Sequence, residues 1–118
     1  METDKYLISI GTEDKKEQYK VTVQIDDNKK LFYYKEPDKT STIYNYEKNI
    51  LKRDNEQMSL EFEFKLNEKT NNSIHIKELN NIINVEIFTH KIEKTNNGLI
   101  VIYEMNDTKF IYQIEKES

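Results

Sequence analysis

The sequence predicts an all-β protein, an antiparallel up-and-down barrel of about eight to ten strands, folded as one domain over residues 1–118. Three observations carry this. Apolar and polar residues alternate with period two, as in Tyr19, Val21, Val23, Ile25 and in Met58, Leu60, Phe62, Phe64, Leu66, where Glu61, Glu63 and Lys65 stand between. Such alternation marks strands with one face buried and one wet. Polar turn clusters interrupt it at short, regular intervals. One long strand, 82–95, changes phase midway, which predicts a bulge and the bend that lets a small sheet close.

The strands run 5–10, 17–25, 30–36, 40–47, 49–53, 58–66, 73–78, 82–95, 99–105 and 110–116. Between the second and third, a four-residue loop at Asp26–Lys29 sets Val23 opposite Phe32 and Val21 opposite Tyr34. Across the Pro37 turn, Tyr33 falls opposite Tyr44 and Leu31 opposite Tyr46. Glu47–Gln57 is the best helical rival, but Asp54-Asn55 interrupts it. A loop at Leu79–Ile82 sets Ile76 opposite Val85, Ile74 opposite Ile87 and His75 opposite Glu86. The phase change in 82–95 places the bulge near Thr89-His90, so that Ile92 joins Val101 and Tyr103. Asn97-Gly98 reads as a hairpin turn, because both residues tolerate the left-handed conformation. A loop at Asn106–Lys109 sets Tyr103 opposite Tyr112 and Val101 opposite Ile114. Matched inner faces support these registers, since a one-residue slip would turn each set outward.

Composition narrows the function. Hydrophobic residues make up 36% and charged residues 34% of the chain. With the apolar share strongly patterned, this describes a folded domain with a charged surface rather than a disordered chain. The net charge of −4 argues against a nucleic-acid partner, which needs surplus Lys and Arg. There is no cysteine, which excludes disulfide and thiolate chemistry and favours a reducing, cytoplasmic setting. No segment reads as a signal peptide or as a membrane-spanning helix.

An ordered series of short motifs carries a family resemblance. These are Ile50-Leu51-Lys52-Arg53-Asp54-Asn55, Leu60 to Phe64, Asn84 to Thr89 and Gly98-Leu99-Ile100-Val101-Ile102-Tyr103. Over roughly residues 30 to 116 the chain resembles the YwiB-like family of small bacterial proteins, which implies a lipocalin-like (calycin-type) barrel of unsettled activity. Asn55 stands where the family usually has Gly, and Glu78-Leu79-Asn80-Asn81 where a Thr-Pro-x-Gly turn is usual, so that loop is remodelled.

Candidate site residues fall into two sets. Arg53 is the lone arginine, at the end of a strand whose inner residue is Leu51. Pointing inward, it would hold a ligand carboxylate or phosphate through its fork; otherwise it pairs with an acid such as Glu56 or Glu61. Tyr34, Phe62, Phe64, Tyr103 and Tyr112, with Phe32 and Phe110, share the inner face and would line a pocket beside it. The competing outcome is a core those same rings fill. The second set, Tyr33, Tyr44, Tyr46, Ile100 and Ile102, falls on the opposite face and reads as an interface. His75 and His90 lack the convergent partners of a metal site, so no metal or cofactor is expected. Glu61 and Glu63 read as a solvated outer face, and no catalytic motif is present. The sequence therefore favours a barrel binding a small apolar or amphipathic ligand. The alternative is an interaction protein working through its outer tyrosines, as a homodimer, and an enzyme ranks last.

Overall fold

A computed structural model describes residues 2–117. Ten strands follow one another without a helix among the described residues, so none is present that could cross a membrane as one. They are β1 (Glu2–Thr12), β2 (Lys16–Asp26), β3 (Leu31–Lys35), β4 (Ser41–Asn45), β5 (Ile50–Asp54), β6 (Met58–Glu63), β7 (Lys69–Ile76), β8 (Asn81–Thr95), β9 (Gly98–Met105) and β10 (Thr108–Lys116). Each pairs antiparallel with the next, and β10 returns to β1 to close the barrel. The expected fold class holds, with each expected strand present.

Three hairpins close one or two residues away from where expected, and the last closes through two residues instead of four. Ile25 faces Phe32, Ile74 faces Ile83, and Tyr103 faces Phe110, with Tyr112 opposite Val101. Each register differs from the sequence expectation by an even number of residues, so every side chain keeps its face. The shifted turns are made by residues other than Gly at positive φ: Lys30 (60°), Asn80 (45°), Asn106 (53°) and Asp107 (62°). The change moves His75 from Glu86 to Ile82. The turn between β8 and β9 is Asn96-Asn97, not Asn97-Gly98, since Thr95 pairs with Gly98. Gly98 is needed inside the strand instead. Its φ is 149°, and a Cβ there would collide with the Ile114 carbonyl oxygen.

The β3–β4 register differs by an odd number, which does change a face. Phe32 pairs with Tyr44 and Tyr33 with Ile43. Tyr44 therefore points inward and is completely buried. It cannot belong to an outer patch. The bulge falls where expected, between Thr89 and Lys91, and carries Ile92 opposite Val101.

A ten-stranded barrel is wider than an eight-stranded one, and wide interiors need large side chains to fill them. This chain supplies rings. Tyr44 stacks on Tyr112 (centroids 5.5 Å apart) and Tyr103 on Phe110 (5.5 Å), while Phe64 lies tilted against Tyr103 (5.0 Å). Ile8, Val23, Ile87 and Val101 close the space around them with no exposed surface. These buried side chains pack on one another, so the middle of the barrel is a packed core.

The ladder opens in three places. β2 pairs with β3 only over Gln24–Asp26, and β8 with β9 only from Phe88 onward. β6 and β7 part after Glu61, where side chains replace the missing backbone rungs. There the Glu63 amide donates to Asn72 Oδ1 (2.8 Å), and Thr70 Oγ1 donates to the Glu63 carbonyl (2.6 Å). Asn72→Ala strands the Glu63 amide at a nearly buried position. It is expected to cost about 1–2 kcal/mol, read as a lower midpoint in urea unfolding with an unchanged slope.

Candidate functional site

The barrel has two unlike ends. One carries the loops after β1, β3, β5, β7 and β9; the other carries both termini and the turns after β2, β4, β6 and β8. At the first end, period-two alternation along β3 continues past Phe32 and Tyr34 to put Glu36 on the inner face. From β5, Leu51 and Arg53 do the same, and from β4, Thr42 and Tyr44. These elements bring an acid and a base together inside the barrel. Arg53 Nε donates to Glu36 Oε2 (2.8 Å) and Arg53 Nη2 to Glu36 Oε1 (2.7 Å). Thr42 Oγ1 donates to Glu36 Oε2 at 2.6 Å. The Arg53 side chain is 21% exposed and that of Glu36 5%.

Three tyrosine hydroxyls extend this polar cluster. Tyr34 and Tyr112 share a hydrogen bond of 2.9 Å. The Tyr19 hydroxyl is buried and makes no hydrogen bond to any described residue. Burial pushes the pKa of all three upward, with the Glu36 charge adding to the effect on Tyr19. Burial alone would lower that of Arg53, but the bonds and charge of Glu36 outweigh it and raise it. The Arg53–Glu36 pair is thus satisfied, while the Tyr19 hydroxyl beside it is not. Arg53 does point inward, but Glu36 fills both arms of its fork, and a ligand carboxylate would have to displace it. Glu36 was legible only as a continuation of β3; Glu56 and Glu61, the acids expected as partners, are not bonded to Arg53.

Tyr34, Phe62, Phe64, Tyr103 and Tyr112 do gather inside, as their shared inner face required, and each is at most 4% exposed. They pack on one another instead of lining an open space. Of the second set, Tyr33, Ile100 and Ile102 face outward and are half-buried. They form no single patch, because β2, β1 and β10 separate β3 from β9. His90 sits in the bulge and bonds Glu104 (3.0 Å).

The opposite end is open. A hollow of about 380 Å3 enters the mouth of the barrel between the turns after β2, β4 and β8. Its wall is aromatic: Tyr6, Phe32 and Tyr46 stand in series, with centroids 5.9 Å and 4.9 Å apart. Ile25 and Leu99 complete the apolar floor. The rim is charged. Lys94 Nζ lies 5.4 Å above the Tyr46 ring and forms no ion pair with a described residue. Lys116, in contrast, is held by Asp4 (2.9 Å), which raises the lysine's pKa and lowers the aspartate's. Tyr46 donates to Asp27 at 3.3 Å. Tyr46 was expected on the outer face; it lies at this mouth because it shares Tyr44's inward parity. Larger hollows lie on the outer wall between polar side chains, such as that beside Glu61, Glu63 and Asn71.

The chain is similar in structure to the ywiB protein from Bacillus subtilis, seen in a crystal structure. The TM-score is 0.59 over 98% of this chain and 91% of that one, at 10% sequence identity. At that identity the likeness concerns the fold alone, and it agrees with the barrel implied by the sequence resemblance. No family model and no curated protein matches the chain.

Proposed function

We propose that this protein is a cytoplasmic, lipocalin-like (calycin-type) binding barrel that takes a small amphipathic molecule at its open mouth, not at its centre. The aromatic hollow with one unpaired lysine at its rim supports this reading. Its volume is in the range of small-molecule sites, and it sets an aromatic wall beside charged and polar groups that orient a ligand. Tyr6, Phe32 and Tyr46 offer flat faces for a planar or aliphatic body. Lys94 is placed to meet a negative end, at little cost, because among the described residues its ammonium has only a ring face as partner.

Titration with anilinonaphthalene sulfonate, an aromatic anion of this shape, tests the assignment. Enhanced fluorescence is expected, and Lys94→Glu should weaken binding at least about tenfold, which is 1.4 kcal/mol. Arg53→Gln is expected to leave the affinity of the folded protein unchanged. No binding by the parent, or binding insensitive to Lys94→Glu but lost in Arg53→Gln, would remove the mouth as the ligand seat.

A further inference from the structure

The three openings in the β-ladder are treated differently, and the difference points to a partner. A strand edge with free amides and carbonyls is a template for another strand, and proteins that avoid pairing guard such edges with charge, proline or a bulge. Along β2 the unpaired edge carries Lys16, Glu17 and Lys20. Between β6 and β7, Asn72 and Thr70 stitch the gap with their own side chains. The edge of β8 from Asn81 to Val85 has neither device. Those residues pair with β7 on one side only, and β9 joins β8 first at Phe88. No other backbone hydrogen bond reaches them among the described residues.

Three of the four exposed large hydrophobic residues among those described lie at this edge, the fourth being Leu66. Leu79 is 74% exposed, Ile82 63% and Ile83 43%. From Leu79 to Val85 no residue is charged, in a chain that is one-third charged overall.

We infer that the free edge of β8, Asn81–Glu86, is where two copies of this chain join, strand against strand about a two-fold axis. A two-fold axis perpendicular to the sheet pairs a strand antiparallel with its own copy and keeps like faces together. Centred on Ile83, it sets Glu86 against Asn80; centred on Asn84, it sets Glu86 against Ile82 and Ile83 against Val85. In neither register do two carboxylates meet, so the charge pattern permits self-pairing without repulsion. The joined sheet would cover Leu79, Ile82 and Ile83 near the seam and leave the aromatic mouth, at the other end of the barrel, open. The inference is independent of the ligand proposed there.

Sedimentation equilibrium from micromolar to near-millimolar concentration tests it on the full chain. The parent is expected to show a monomer–dimer equilibrium. Ile82→Lys and, separately, Asn84→Lys should raise the dissociation constant at least about tenfold while leaving the far-ultraviolet circular dichroism of the barrel unchanged. Amide exchange at Asn81–Glu86 should slow as parent concentration rises. A parent that stays monomeric throughout overturns the inference. So does a dimer that survives both lysine variants, including one broken instead by Ile102→Asp, which would move the contact to the outer face of β9.

Discussion

Raising the pH past about 10 should unfold this barrel over a narrow interval, because its core is built on tyrosine. Burial holds the hydroxyls of Tyr19, Tyr34, Tyr44 and Tyr112 well above the ordinary phenol range and pushes that of Tyr103 up to about 12. In the unfolded chain each ionises near pH 10. Above that pH the unfolded chain gives up protons that the folded chain keeps, so stability falls as pH rises. The stabilisation is complete below about pH 10 and is lost as pH climbs toward the folded values. Each such tyrosine contributes a slope of up to about 1.4 kcal/mol per pH unit, and the five together about 7. Total stabilities of small domains are roughly 5–15 kcal/mol. Unfolding is therefore expected to finish within about two units, with tyrosinate absorbance and loss of the β dichroism signal moving as one cooperative step. A gradual phenol titration near pH 10 with the dichroism intact would show that water already reaches these hydroxyls, and would restore an open interior as the ligand site.

How much of this was legible in the sequence follows from which signals survive an error of register. The strands were legible because each is half-buried and alternates. Their faces were legible in the hairpins at Asp26, Leu79 and Asn106 because even slips leave parity untouched. Turn positions were not, since this chain makes its turns from Asn, Asp and Lys at positive φ, and those residues are common throughout it. The β3–β4 hairpin failed for a different reason. Leu31-Phe32-Tyr33-Tyr34 is apolar on both faces, so no alternation resists a one-residue slip, and Tyr44 and Tyr46 were turned outward on paper. In the fold, the Glu36 amide bonds the Thr40 carbonyl (2.9 Å) and Lys39 takes φ 73°, which fixes the register that the sequence left open. Arg53 stood out as the lone arginine. Glu36 did not, because it is one acid among many and its partner lies 17 residues on. The mouth was hidden for the same reason as Tyr46: Tyr6 on β1, Phe32 on β3 and Tyr46 in the turn after β4 meet only in that register.

Removing one member of the Glu36–Arg53 pair should cost far more than removing both. In Glu36→Leu the guanidinium stays in a largely dry interior without its counter-charge, and in Arg53→Met the carboxylate keeps only the Thr42 hydroxyl. Breaking a buried pair in this way typically costs about 3–5 kcal/mol, because the surviving charge is left unpaired and poorly solvated. In a chain of this length that is a fall of roughly 10–20 °C in Tm, a large share of all the stability there is. The double variant Glu36→Leu/Arg53→Met relieves both desolvation costs and is expected to recover most of the loss. A double-mutant cycle by thermal and urea unfolding therefore predicts a large coupling energy. If either single variant costs under about 1 kcal/mol, the pair is solvated, and this end of the barrel is a second mouth in which Arg53 is free to exchange Glu36 for a ligand carboxylate. If the double variant recovers its stability and still binds the anionic probe as the parent does, the pair is dispensable for both folding and binding at the far end. Its bidentate geometry then has one physical reading left, as the device that orients the Glu36–Thr40 loop over the packed end of the barrel while the aromatic end stays open.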